Sequence, residues 1–245
     1  MSGVATDPAS ERPIGAPVES HPAEVPQRIT LSGRFVRLEP LDVARHGESI
    51  WRETHGPTKE SIWQYLFEAP FADREAFFAH LERKSQLQDP LFFAIVNQKT
   101  GEALGYSTLM RIDAPHRCIE VGNIVYGARL QRTPGATDAQ FLLMRYVFDT
   151  LGYRRYEWKC NSLNAASRAA ALRYGFRFEG IFRQHMIVRG RNRDTAWHSI
   201  IDAEWPVARA AFEAWLSPAN FDELGQQKRG LAELRHILSG TSVGV

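Results

Sequence analysis

Apolar and polar positions alternate from Arg34 through Phe35, Val36, Arg37, Leu38 and Glu39 to Leu41, a period of two that predicts a strand. Between Asp42 and Gln88 the spacing turns helical. Asp42 is placed to cap a helix reaching about Thr54, Thr58 one reaching Leu66, and Asp73 one reaching Leu87. The apolar run Leu91 to Val96 predicts a strand, Asn97 to Gly101 a turn, and Ala103 to Arg111 its hairpin partner. Cys118 to Tyr126 is a further strand, with Gly122 inside it. From Ala136 to Leu151 apolar side chains lie nearly all round the predicted helix, which marks it as buried rather than amphipathic. Arg155 to Cys160 reads as a strand, and Asn164 to Tyr174 as a short helix closed by Gly175. Phe176 to Arg189 and Thr195 to Glu204 form a long hairpin around Gly190, Arg191 and Asn192. Pro206 opens a helix to Leu216, and a polar helical tail follows from Pro218.

Helical stretches inserted in a mainly antiparallel strand order define an α+β domain around a mixed sheet. Residues 1 to about 30 hold five prolines among Ala, Ser, Gly and Glu without apolar periodicity, so a disordered or extended arm is expected there. The core domain is expected over 31–206 and a C-terminal helical extension over 207–245. No internal repeat is found. At 245 residues, 44% hydrophobic and 24% charged, the chain is too apolar to be wholly disordered. No run approaches 18 consecutive apolar residues, which excludes a transmembrane helix, and no basic-then-apolar leader opens the chain. Cys118 and Cys160 have neither metal-site spacing nor disulfide density, so both are expected as small buried residues of a cytoplasmic protein. The eight histidines form no HxxxH or HxH pair, and no catalytic metal is expected.

Candidate chemistry concentrates between Ile119 and Phe176. A strand leads through Leu130-Gln131-Arg132-Thr133-Pro134-Gly135-Ala136-Thr137 into the buried helix. Pro134 has no N–H, Gly135 permits close approach, and the helix start presents amides with positive partial charge, a ready site for an anionic diphosphate. Arg132 adds a formal charge, and Thr133 and Thr137 can add hydroxyl donors. A plain strand-to-helix turn is the alternative. Gly122 within a strand marks a bulge or a close backbone approach. A bulge would part this strand from its neighbour at 157–160 and free backbone groups for an extended amide-containing ligand. Asn164 and Ser167 lie about one helical turn apart on one face; Asn164 can equally serve as a helix cap.

The order of strand, Gln-Arg-x-x-Gly-x-Thr loop, buried helix, strand, Asn-x-x-Ser and Tyr-Gly-Phe resembles the GNAT superfamily of acyl-coenzyme A-dependent N-acyltransferases. Arg154 to Cys160 and Asn192-Arg193-Asp194-Thr195 resemble its RimJ/RimL-type branch. The resemblance covers roughly Leu31 to Pro206. It implies a mainly antiparallel twisted sheet flanked by helices, with a V-shaped splay between the strands at 120–126 and 155–160 holding acetyl-CoA. Carried over, Ile124 and Val125 meet the pantetheine through their backbone. Arg132, Thr133, Gly135, Ala136 and Thr137 hold the pyrophosphate, Asn164 and Ser167 line the thiol end, and Arg173 approaches the nucleotide phosphates. Two departures stand out. Thr137 occupies a position where the superfamily favours Gly or Ala, so its side chain points away from the phosphates or donates to them. The tyrosine that many members use as acid would sit at Ala171, while Tyr174 immediately precedes Gly175.

The reaction implied is attack of a neutral amine on a thioester, with acetyl-CoA as co-substrate. Glu120 is the leading candidate to accept the amine proton, directly or through water, and Ser167 to hydrogen-bond the departing sulfur. An exposed or substrate-orienting carboxylate and a helix packing contact are their respective alternatives. Deprotonating a lysine amine at pH 7 costs roughly 4–5 kcal/mol and an α-amino group about 1, so a site without a strong base pair favours the weaker base. His116, His185 and His198 lack a diagnostic carboxylate spacing and are expected to be surface or structural residues. Trp51, Trp63, Phe67, Phe71, Phe77 and Phe78 are mostly core, and the resemblance sets their region over the acceptor cleft.

The acceptor is expected to be a small molecule, amino acid or peptide amine, with a homodimer possible. A non-catalytic acyl-CoA-binding sensor is the competing reading, favoured by Ala171 and opposed by Glu120 and Ser167. A net charge of +2 and the absence of an RNA-binding signature argue against nucleic acid. That charge is unevenly spread. Residues 39–89 hold ten acidic against six basic residues, and residues 151–193 ten basic against two acidic. Such fields steer charged ligands, the basic half toward phosphates and the acidic half toward a cationic amine.

Overall fold

The computed structural model describes residues 4–240. Strands β1 (Val4–Thr6) and β2 (Pro13–Gly15) pair as a small exposed hairpin. The main sheet contains β3 (Leu31–Ser32), β4 (Val36–Pro40), β5 (Leu91–Asn97), β6 (Ala103–Asp113), β7 (Cys118–Tyr126), β8 (Arg155–Asn161), β9 (Arg177–Val188) and β10 (Arg191–Ile201). Its spatial order is β3-β4-β5-β6-β7-β8-β10-β9. Every neighbouring pair is antiparallel except β7 and β8, which run parallel from Cys118–Arg155 to Val121–Trp158.

Helices cover both faces, and the side-chain period of two in the strands assigns each residue to one of them. Leu91, Phe93 and Ile95 of β5 face a large core built with α3 (Pro134–Arg145), α4 (Ala165–Tyr174), α5 (Trp205–Leu216) and α6 (Leu231–Leu238). Phe92, Ala94 and Val96 face a second core under α1 (Val43–Thr54) and α2 (Arg74–Ser85). Burial on both faces explains why β5 reads as an unbroken apolar run. Asp42 and Asp73 cap α1 and α2 as their spacing predicts, accepting from the amides of Arg45 and Ala76.

Several elements depart from the pattern-based expectation. The predicted helix from Thr58 contracts to one 3-10 turn, Glu60–Trp63, because Thr58 has a left-handed backbone (φ 71°) unsuited to an N-cap. The buried helix starts two residues early on a Thr133 cap and ends in a π turn, Tyr146–Thr150. After Pro218 the described residues are helical only at Pro218–Asn220 and in α6, with Gly225 and Gly230 in the loop between. After β2 the N-terminal segment has no regular secondary structure until β3 and joins the body through backbone bonds from Ala23 N–H to the Ala114 carbonyl and from Glu24 N–H to the Leu151 carbonyl. Gln27 N–H donates to the Tyr146 hydroxyl at 2.9 Å.

Candidate active site

The opening between β7 and β8 follows from one extra residue. Tyr106 pairs with Val125 and Thr108 with Gly122, so Ser107 alone faces both Asn123 and Ile124. This is a β-bulge, and Asn123 carries it with a left-handed backbone (φ 46°). Gly122 supplies the close approach instead: a Cβ there would lie 2.3 Å from Met110 Sδ. Pairing with β8 ends at Val121–Trp158, just before the bulge. The β7 backbone from Gly122 to Tyr126 therefore has no strand opposite it on that side. Ile124 packs against the α3-side core and Val125 is buried beneath α1 and α2.

Beyond the opening stands the N-terminus of α3. Thr133 caps it, its hydroxyl accepting from Ala136 N–H and donating to the Leu130 carbonyl. Arg132 is exposed in a left-handed conformation (φ 60°) beside it. Gly135, Ala136 and Thr137 are buried, and Gly135 packs closely, since a Cβ there would lie 3.1 Å from the Val36 side chain. The Thr137 hydroxyl turns from the loop toward α4 and accepts from Arg173 at 3.0 Å. Arg173 is thereby held at the first turn of α3, where the helix dipole is already positive. Arg132, next to the Thr133 cap, and Arg173, bonded to Thr137, each bring a positive charge to this helix start. That donor set and the unpaired β7 edge fit a diphosphate joined to an extended amide chain, the chemistry of coenzyme A.

Asn164 caps α4, its Oδ1 accepting from Ser167 N–H at 3.0 Å. Ser167 Oγ accepts from Trp158 Nε1 at 2.9 Å, on the face that also carries Cys160. Ala171 is buried in the core. The Tyr174 hydroxyl donates to the Ala136 carbonyl at 3.5 Å, and burial raises its pKa, so it belongs to the helix packing.

Glu120 lies between Ile119 and Val121, which face α3, and so projects to the opposite face of the sheet from Ser167. It is 5% exposed, not the exposed carboxylate considered from alternation. Its Oε2 ion-pairs with Lys159 at 2.9 Å and Arg111 at 3.1 Å. Burial raises its pKa, and the Lys159 ammonium opposes the rise. Lys159 also pairs with Glu157 at 2.7 Å and lies over the Trp197 ring. Arg155 continues the chain, reaching Glu157 at 2.7 Å and Glu179 at 2.5 Å. None of these partners of Glu120 was singled out in the sequence. The signal was available: Arg155, Glu157 and Lys159 alternate with apolar residues and share one face, and two facing glutamates require a cation.

The remaining candidates divide. Trp63 and Phe77 are buried around His55, whereas Phe67 is exposed and underlies the Arg193 guanidinium at 5.0 Å. His116 does have a carboxylate partner, Asp113 at 2.9 Å, in an exposed turn. His185 meets the Thr195 hydroxyl, and His198 is buried with neither ring nitrogen partnered among the described residues. Cys160 is buried and Cys118 partly exposed. Part of the acidic half is neutralised locally, through Glu39 with Arg37 and Arg45, Glu48 with Arg74, and Glu68 with Lys84. No group of three metal-ligating side chains is present among the described residues, and no helix there is long and apolar enough to cross a membrane. A cavity of about 480 Å³ lies away from the opening, between β10, α5 and α6.

A parallel pair that splays at a bulge beside an anion-accepting helix start defines an acetyltransferase fold. Residues 37–177 match the acetyltransferase (GNAT) domain family, and the chain belongs to that family. It is 51% identical to a GCN5-related N-acetyltransferase from Brucella melitensis, covering 88% of this chain and 97% of that one, with a TM-score of 0.86. A probable acetyltransferase of the GNAT family from Chromobacterium violaceum is 38% identical over 79% of this chain and 97% of its own, with a TM-score of 0.73. The Microcin C7 self immunity acetyltransferase MccE, solved in complex with acetyl-CoA and AMP, shares the fold at 23% identity. It covers 68% of this chain and 92% of its own, with a TM-score of 0.59. A search of curated proteins gave no match. The protein is an acetyltransferase with a mainly antiparallel mixed sheet flanked by helices.

Proposed function

We propose that the protein is an acetyl-CoA-dependent N-acetyltransferase of the RimJ/RimL-like branch, acting on a primary amine in a ternary complex. The observation that carries this reading is the end of β7–β8 pairing at Val121–Trp158, facing the α3 N-terminus with Arg132 and Arg173. MccE, which shares the fold, was solved with acetyl-CoA. When bound, acetyl-CoA supplies an activated acetyl carbonyl.

Ile124 and Val125 offer backbone groups to the pantetheine, and Arg132, Thr133, Gly135 and Ala136 receive the diphosphate. Thr137 accepts from Arg173 and holds it at the helix start, with its own hydroxyl proton left to donate to phosphate. Asn164 fixes the α4 start that carries Ser167. Glu120 and Ser167, on opposite faces of the sheet, divide the proton traffic. Glu120, whose Oε2 ion-pairs with Lys159 and Arg111, takes the amine proton directly or through one water. Its raised pKa makes it a better base than an ordinary carboxylate. Ser167 Oγ already accepts from Trp158, so its own proton can be donated on the leaving side. An α-amino acceptor suits a single carboxylate base better than a lysine side chain.

The test is thiol release from acetyl-CoA across a library of primary amines. Turnover with a subset of them is the expected result. Acetyl-CoA binding without turnover on any amine supports the sensor reading, for which Ala171 in place of a tyrosine acid is the specific observation.

A further inference from the structure

Six charged side chains form a series of strictly alternating sign on one face of the sheet, running across the paired part of β7 and β8: Arg111, Glu120, Lys159, Glu157, Arg155 and Glu179. Successive ion pairs measure 3.1, 2.9, 2.7, 2.7 and 2.5 Å. Three carboxylates and three cations balance. A seventh charge does not fit this series. Arg193 on β10 is only 8% exposed, yet it forms no ion pair among the described residues, and its buried Nε has no hydrogen-bond partner. Its one close neighbour of note is the Phe67 ring, 5.0 Å below the guanidinium.

A buried charge without a counter-charge is costly. Burial already holds this guanidinium below its ordinary pKa, with Arg111 adding to the effect and Glu120 and Cys160 opposing it. The nearest carboxylate that could relieve it, Glu120, is committed to Lys159 and Arg111. The fold keeps Arg193 in this position by several means. Asp194 accepts from Gln184 N–H at 2.7 Å and from Asn192 Nδ2 at 2.9 Å, fixing the irregular β9–β10 register next to it. Arg189 at the hairpin end donates to the carbonyls of Trp63 and Gln64, tying the hairpin to the segment that carries Phe67. Tyr65 in the same segment donates to the Leu163 carbonyl at 3.2 Å. Arg193 and Phe67 thus form a guanidinium stacked on an aromatic ring beneath a roof pinned at both sides, within electrostatic range of Glu120.

We propose that Arg193, stacked on Phe67, is the specificity residue that binds a carboxylate on the acceptor, so that the preferred substrate is an amine bearing a carboxylate. A guanidinium presents a planar fork that matches a carboxylate in two hydrogen bonds. The substrate's own negative charge then supplies the balance that the protein lacks, while Glu120 serves its amine. This inference rests on the acetyl-transfer reading for the amine, and on Arg193 alone for the carboxylate. The carboxylate can be the α-carboxylate of a free amino acid or the side chain of an acidic peptide.

The experiment offers the full-length protein free amino acids, their carboxamides, and short peptide amides with or without Asp or Glu, with acetyl-CoA. Thiol release is followed, and binding of the same compounds is measured by calorimetry. The expected result is higher kcat/KM for carboxylates than for matched carboxamides. Arg193→Met, which keeps packing on Phe67, should reduce that preference roughly ten- to a hundredfold, the range of a hydrogen bond to a charged group. Arg193→Lys should retain part of it, which separates lost charge from a misfolded chain. Preference confined to free amino acids, or extended to acidic peptide amides, identifies the source of the carboxylate. Turnover with equal use of carboxylates and carboxamides overturns the proposal and leaves acetyl transfer standing. Arg193-dependent carboxylate binding without turnover supports the clamp and overturns amine transfer. Neither binding nor turnover overturns both.

Discussion

The Lys159 ammonium lies 2.9 Å from the Glu120 carboxylate, and both side chains are about 7% exposed. Lys159 also holds Glu157, which stands directly opposite Glu120 in the parallel β7–β8 register. Without the lysine, two facing carboxylates would be left in a desolvated strip. Lys159→Met is therefore expected to destabilise the fold by about 3–5 kcal/mol, as for other broken buried pairs. Urea unfolding monitored by tryptophan fluorescence measures the loss. Adding Glu157→Gln to Lys159→Met should recover part of it, and equal stability of the single variant and the parent would contradict the pairing.

Glu120→Gln keeps the side chain's shape and removes its negative charge and its basicity. Turnover is expected to fall by about a hundredfold, the scale of general-base assistance, while acetyl-CoA affinity stays close to that of the parent. Steady-state kinetics together with a cofactor titration separate the two quantities. Unchanged turnover would remove Glu120 from the proton path.

Tyr174→Phe tests the acid assignment from the other side. The hydroxyl points at the Ala136 carbonyl, within the contact between α3 and α4. Turnover should stay within about threefold of the parent and stability should drop by no more than about 1 kcal/mol, the net worth of one hydrogen bond. A large loss of turnover with normal stability would make Tyr174 an acid. Ser167→Ala should instead lower turnover, because Trp158 Nε1 would lose its acceptor and the leaving side its donor.

Stability should depend on pH through four imidazoles, His46, His55, His80 and His198, most strongly through His55 and His80. His55 and His80 are pulled from 6.5 to about 4, in both cases chiefly by burial. Phe71 N–H donates to His55 Nε2, which only a neutral ring can accept. The unfolded chain takes up protons at these sites as pH falls through 6.5, while the folded chain resists until about 4. Stability is therefore full above about 6.5 and declines toward 4. Melting temperatures between pH 7.5 and 5, above the titration of most carboxylates, report this slope. His55→Phe should flatten it, and a flat profile in the parent would contradict the assignment.

Much of this was legible from local patterns. Strand periods, the Asp42 and Asp73 caps and the apolar belt of α3 are set by residues close in sequence, and they locate the sheet order's central opening once the family resemblance is added. The Gly122 signal pointed to the right strand, although the bulge itself sits on Asn123 and Gly122 instead makes room for Met110. The charged face of β8 was legible from the alternation of Arg155, Glu157 and Lys159; the completed ion-pair series and the unpaired Arg193 were not. They join β6, β7, β8, β9 and β10, and only the register of pairing decides which charges meet. Thr137 shows the same limit: its partner Arg173 lies 36 residues away on another helix.

The central claim is that acetyl-CoA lies across the β7 edge with its diphosphate at the α3 N-terminus. Calorimetric titration of acetyl-CoA into the parent, Arg132→Ala, Arg173→Ala and Glu120→Gln tests it most directly. The account predicts binding to the parent, about tenfold or more weaker binding in each arginine variant from loss of a charged contact to phosphate, and parent-like binding in Glu120→Gln. No binding to the parent at millimolar acetyl-CoA, or equal affinity in all four proteins, would contradict it.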